Sequence, residues 1–303
     1  MSIFRPLFAA SVIYALLSAS VDAADPIPTY ANVAYGAHPH QLMDIHLPPT
    51  GDGPFPAILW FGGIWKAAKH VVDPGKFFPK GIAVIAVELR TMEDAVAVNE
   101  PVPISYVQSD AVRAVQFVRL NAKKWNLNPE KLAVGGGSQG AQPALFVGCS
   151  GDHQNVASAD PVERQSSLVT CVAAYRCQPT FDPKRMQEWV PGVRWGAPAF
   201  ACTFEESLKR HAELLPTIKK WSPDYLLHKA AAPMFFENEW GLVKPADITQ
   251  ANYDVHCPAW ALGFQKLALA AGAECHVKFP GHPADDPAKD IWDFLVRRLT
   301  LPK

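Results

Sequence analysis

Unbroken apolar runs and helical apolar spacings alternate along this chain. Short continuous runs occur at 56–63 (PAILWFGG), 81–90 (GIAVIAVELR), 131–136 (KLAVGG), 168–175 (LVTCVAAY), 232–238 (APMFFEN) and 275–281 (CHVKFPG). Runs this short, rich in β-branched and aromatic residues, predict strands buried on both faces. An earlier stretch, 40–48 (HQLMDIHLP), alternates Met43, Ile45 and Leu47 with polar residues, as a half-buried strand does. Between the runs lies a different period. In 105–125, Val107, Ala111, Ala114, Val115, Val118 and Ala122 share one helical face. Further helices are expected at 138–148, 257–272 and 287–299. Pro143 is tolerable in the first of these only near its start, and Gly272 closes the second as a C′ glycine.

Strands alternating with helices predict an α/β fold: a mostly parallel sheet of about eight strands with helices on both faces. One segment breaks the rhythm. Residues 178–224 lie between two strands and are too long for a simple crossover, so an inserted cap is expected there, with a helix near 203–214. The N-terminus carries Arg5, an apolar run from Pro6 to Leu17, and small residues ending Val21-Asp22-Ala23. That predicts a secretory signal over residues 1–23 and an exported domain over 24–303, secreted or periplasmic. A membrane anchor is the plainer alternative, but the run is short of the roughly 20 apolar residues a span needs.

Composition narrows the classes. With 49% hydrophobic and 19% charged residues, the chain has material for a large core. A net charge of -1 gives no reason to expect nucleic acid or an anionic membrane surface as partner. The cysteines Cys149, Cys171, Cys177, Cys202, Cys257 and Cys275 match no zinc spacing, and an exported chain permits disulfides, with Cys171 or Cys177 the suspected members.

The stretch 134–148 (VGGGSQGAQPALFVG) bears two chemistries at once. Gly135, Gly137 and Gly140 spell G-x-G-x-x-G, a dinucleotide fingerprint; Gly136, Ser138 and Gly140 spell G-x-S-x-G, a serine on a sharp turn. A dinucleotide loop wants an acid about 20 positions on, at a strand end. Asp160 has that spacing but falls in a polar loop, and the next strand ends in AAYRC. The serine reading gains from elsewhere. Gly62 and Gly63 in WFGGIW supply bare backbone after an early strand, and His282 in VKFPGHPADD follows a late one.

On these motifs the chain resembles the α/β-hydrolase fold, in particular the secreted esterase and lipase group with an HGGG-type loop. The resemblance covers nearly all of 24–303, and its most specific block is DAVRAVQFVRLNAKKWNLNPEKLAVGGGSQGA. Phe61 stands where that group has His, and Ile64 where it often has a third Gly. The resemblance implies hydrolysis of carboxylic esters, often acetyl or feruloyl esters linked to carbohydrate, with no metal or organic cofactor. It implies Ser138 as nucleophile, His282 as general base, and an oxyanion hole from the backbone of Gly62, Gly63 and Gln139. The group's acid motif after the seventh strand is missing, and Gly241 occupies its place. Asp254 is the first choice for the acid, with Glu239 and Asp247 behind it. Trp65, Trp240 and Trp260 fall in loops near this site, where aromatic faces suit sugar rings or aromatic acyl groups.

Each residue also has a plainer role. Ser138 and Asp254 are good helix N-caps, His282 sits beside Asp285 and Asp286, and the tryptophans suit simple packing. The competing functions are a serine peptidase of related fold and a non-catalytic binding protein on a hydrolase scaffold. The oligomeric state has no signature in the sequence.

Overall fold

The structure, a computed structural model, describes residues 26–301. The expected signal at 1–23 lies outside the described residues. Eight strands form one sheet: β1 (Tyr30–Ala34), β2 (Leu42–His46), β3 (Phe55–Phe61), β4 (Ala83–Val87), β5 (Leu127–Gly137), β6 (Val172–Tyr175), β7 (Met234–Glu237) and β8 (Cys275–Lys278). Their order is β1-β2-β4-β3-β5-β6-β7-β8. β1–β2 and β2–β4 pair antiparallel, and the other pairs run parallel. This is the α/β-hydrolase architecture. The helices among the described residues are α1 (Met92–Ala97), α2 (Ile104–Asn121), α3 (Ala141–Cys149), α4 (Pro183–Trp189), α5 (Phe204–Lys209), α6 (His211–Trp221), α7 (Gln250–His256), α8 (Ala259–Ala270) and α9 (Ile291–Thr300).

The apolar runs became strands because both faces are covered. Along β3, Ala57, Leu59 and Phe61 join the core under α2, α3 and α8, while Ile58 and Trp60 point to the opposite core under α9. All six positions of the predicted face are buried, five of them in α2 and Ala122 at its C-cap. β1 had no apolar signature because it is an exposed, antiparallel edge.

The segment 178–224 does carry helices, but the single helix expected near 203–214 is two, α5 and α6, separated at Arg210. Thr203 and Glu206 start α5 with a reciprocal capping box. A third apolar cluster joins Met186, Val190, Val193 and Phe204 of this segment to Trp240, Tyr253 and Trp260. This segment therefore packs on the chain that follows β7. Pro143 is the third residue of α3, where its missing N–H costs no helical bond. The suspected disulfide is absent: all six cysteines are free thiols, and Cys171 and Cys177 are buried. Burial raises both thiols far above their ordinary range, which keeps them protonated and inert.

Candidate active site

β5 ends in three glycines and turns sharply at Ser138 into the 3-10 turn Ser138–Gly140 and then α3. Ser138 sits in the left-handed region at φ 50. A non-glycine residue there costs on the order of 1–3 kcal/mol and persists only where surroundings enforce it. The enforcement is visible. A Cβ at Gly136 would strike the carbonyl of Gly140, and one at Gly140 would strike the carbonyls of Phe61 and Gly62. The turn is thus wedged against the loop that follows β3.

That loop is held by a side chain. Gln139 Oε1 accepts from the backbone N–H of Ile64 at 2.9 Å and of Trp65 at 3.0 Å. Gly62 was expected among the oxyanion donors, but its N–H donates to Val87 O at 2.9 Å, extending the β3–β4 ladder. The backbone N–H groups of Gly63 and Gln139 are left as the candidate donors beside Ser138.

The imidazole on Ser138 is His256, not His282. Ser138 Oγ and His256 Nε2 are 2.8 Å apart. His256 is the last residue of α7, whose start is capped by Thr249. One helical turn back, Asn252 presents two acceptors to the other ring nitrogen: Oδ1 at 2.8 Å and the backbone carbonyl at 3.1 Å from Nδ1. Residues four apart share a helix face, which is why these two meet. A backbone carbonyl only accepts, so Nδ1 carries the proton and Nε2 is left to accept from the serine hydroxyl. Asn238 Nδ2 donates to the His256 carbonyl at 2.6 Å, and Gln178 Nε2 donates to the Val255 carbonyl at 2.6 Å. These bonds satisfy the open end of α7 and fix the ring's position.

His282 lies elsewhere. After β8 the chain doubles back, with Phe279 and His282 exchanging backbone hydrogen bonds of 2.8 and 3.0 Å across Pro280-Gly281. The His282 ring then stacks on Phe279, with centroids 4.7 Å apart and planes at 9°. The tight hairpin commits the ring to its own strand.

The expected acids are dispersed as well. Asp254 is two residues from His256, hence on another side of α7, and accepts from Gln250 Nε2 at 2.6 Å. Asp247 is exposed in the loop before α7. Glu239 is bound to Tyr175 Oη at 2.6 Å and Arg176 Nη1 at 2.7 Å. Among the described residues no carboxylate bonds His256 Nδ1; a neutral amide does. Arg176, also left-handed at φ 50, directly follows β6, and its guanidinium lies 4.0 Å over the Trp240 ring. Trp240 meets His256 edge-on with centroids 6.2 Å apart. Burial and the nearby Arg176 charge together hold the His256 pKa down to about 4, against the Asn252 bond and Glu239, which raise it.

Of the three tryptophans, Trp260 is fully buried, with its Nε1 donating to the Asp254 carbonyl at 2.8 Å, and is core. Trp240 packs on His256 as described. Trp65 meets Trp195 edge-on at 6.1 Å and lines a cavity of about 460 Å³ with Trp195 and Phe204. Two clusters among the described residues have metal-like spacing, His38–His40–Asp94 and Glu274–His276–Asp286. Neither includes a residue of this site. Asp94 already caps α1, and Arg298 already pairs with Glu274.

The arrangement missed from sequence was His256 with Asn252. The signal was present as Asn-x-x-x-His between Thr249 and Pro258. It becomes readable once 250–256 is known to be helical, because helical spacing then puts the two side chains on one face.

Residues 43–236 match the BD-FAE family. The AB hydrolase superfamily protein C1039.03 of Schizosaccharomyces pombe is 26% identical over 251 residues, covering 79% of this chain and 65% of that protein. The chain therefore spans under two thirds of that curated relative's length. Among solved structures, a truncated carbohydrate esterase from gut microbiota superposes with a TM-score of 0.66 at 20% identity, covering 92% of this chain and 99% of its own. An acetyl ester-xyloside bifunctional hydrolase from Caldicellulosiruptor lactoaceticus does so with a TM-score of 0.56 at 18% identity, covering 84% and 86%.

Proposed function

The chain belongs to the BD-FAE family, and on that premise we propose that it is a serine-dependent carboxylic ester hydrolase acting on esters linked to carbohydrate. The observation that carries the proposal is the 2.8 Å contact between the strained Ser138 and His256 Nε2. Ser138 Oγ attacks the ester carbonyl carbon while its proton passes to His256 Nε2. Charge developing on the carbonyl oxygen is received by the backbone N–H of Gly63, in the loop after β3, and of Gln139, in the turn that leads into α3. Removing one such donor typically costs about 3 kcal/mol of barrier. As the tetrahedral intermediate collapses, His256 returns the proton to the leaving alcohol, and water repeats the sequence on the acyl-enzyme.

Asn252 replaces the carboxylate that usually orients the base. An amide in that position ordinarily fails where its N–H₂ holds the wrong tautomer. Here the Asn252 backbone carbonyl joins Oδ1 on Nδ1, and both accept. The imidazolium is stabilised by these dipoles and by the C-terminal end of α7. The carbohydrate part of the proposal draws support from the named activities of the two structural neighbours. We also propose that residues 1–23 direct export; a mature protein beginning at Ala24 is the expected product.

The test is turnover of p-nitrophenyl acetate and of acetylated xylo-oligosaccharides by the wild type and Ser138→Ala. The variant is expected to lose at least about 10³-fold in kcat with its fold intact. Equal turnover by both proteins contradicts the proposal.

A further inference from the structure

A second cavity, of about 340 Å³, opens at the same sheet edge on the α9 side, lined by Trp60, Tyr175, Glu237, Glu239, Asp290 and Trp292. Its floor adjoins the end of β5, the strand that leads into the nucleophile turn. Trp60 pairs in register with Gly135, Tyr175 with Gly137, and Glu237 with Tyr175. A Cβ on Gly135 would come within 2.6 Å of the Trp60 ring, so the glycine is what lets that ring lie across β5. Tyr175 Cδ1 is 3.9 Å from the same point on Gly137, the residue before Ser138. The wall is the start of α9, where Trp292 sits 5.1 Å from Trp60.

Aromatic rings with carboxylates suit two ligand chemistries, an organic cation or a hydroxyl-rich neutral molecule. The charges already present separate them. Lys278 Nζ lies 3.3 Å from Glu237, and Arg176 lies 2.7 Å from Glu239. Asp290 caps α9, accepting from Trp292 N at 2.9 Å and Asp293 N at 2.8 Å at the positive helix end. Lys76 Nζ sits 5.1 Å over the Trp292 ring. Each carboxylate here and the Trp292 ring already have a positive partner, so a further cation gains little. The carboxylates keep lone pairs free to accept hydrogen bonds, and the rings offer apolar surface for C–H groups. That combination matches a neutral sugar.

We propose that this cavity is the subsite for the sugar on the alcohol side of the scissile ester. The proposal rests on the esterase reading above and adds to it where the saccharide sits: on the α9 face, away from the cavity at Trp65.

The test is binding of unesterified xylotriose, cellotriose and mannotriose to Ser138→Ala, followed by calorimetry. At least one is expected to bind. Adding Trp292→Ala is expected to weaken it at least tenfold. Asp290→Ser, which keeps an N-cap but removes the carboxylate, is expected to weaken it severalfold. If Trp292→Ala fails to fold, Asp290→Ser alone decides. Binding of none of the three sugars, or binding indifferent to both substitutions, overturns the subsite. Saturable binding of tetramethylammonium that competes with the sugar overturns the choice of a neutral ligand. Wild-type turnover by Ser138→Ala defeats the esterase reading instead, so the two failures are told apart.

Discussion

The segments after β7 and after β8 each bring a histidine to the sheet end of the molecule, and they treat it differently. After β7 the chain runs through an exposed loop, restarts at Thr249 and forms α7, whose last residue is His256. That ring has a partner on each nitrogen, Ser138 on one and Asn252 on the other. After β8 the chain turns back within two residues, and His282 stacks on Phe279. A helix of two turns offers an i,i+4 partner and a fixed ring direction; a tight hairpin offers only its own strand. Order along the chain favoured His282, and local geometry favours His256. The two are separated by what their immediate neighbours can hold.

The largest expected effect comes from removing either ring. His256→Ala is expected to lower kcat/KM by about 10³-fold, the usual worth of a general base, and His282→Ala by less than about tenfold. The measurement is steady-state turnover of p-nitrophenyl acetate with melting temperatures alongside. A reversal of the two would break the comparison.

Next is the amide. Asn252→Leu removes the side-chain acceptor that holds Nδ1–H and is expected to lower kcat at least about tenfold. Asn252→Asp places a charge there instead. It should favour imidazolium, raise the His256 pKa and move the acid limb of the kcat/KM profile to higher pH. A pH profile identical to wild type would contradict the Asn252–His256 pairing.

A smaller effect is expected in the loop facing the turn. Gln139→Leu leaves the N–H groups of Ile64 and Trp65 without their acceptor. Each lost bond is worth about 1 kcal/mol, so the melting temperature and kcat should both fall, kcat by about tenfold. The smallest concerns Arg176. His256 stays neutral down to about pH 4, in part because the guanidinium disfavours a second positive charge. Arg176→Met removes that charge, so the pKa rises and activity at pH 5 falls relative to pH 8. An acid limb that moves downward would contradict this sign.

How far the chain itself announced these features depends on how local each one is. The buried strands were readable because parallel strands covered on both faces must be apolar throughout, as in Ala83–Val87. β1 was not, because an exposed edge strand has no hydrophobic side to reveal. Ser138 was readable because its neighbours must lack side chains, which leaves glycines at 136 and 140. The partner was not. His256 lies 118 positions away, and its second partner, Asn252, is a neutral amide where a carboxylate is the usual choice. Asp254, two residues off, has the chemistry of an acid, but helical spacing turns it away from the ring. Gly62 has the bare backbone of an oxyanion donor, but its N–H is committed to Val87 in the sheet.

The central claim is that Ser138 is made nucleophilic by His256. It is tested most directly by labelling with a fluorophosphonate probe in wild type, His256→Ala and His282→Ala, with Ser138→Ala as the blank. The account predicts labelling of wild type and His282→Ala at comparable rates, and its near loss in His256→Ala. Full labelling of His256→Ala together with none of His282→Ala would contradict it.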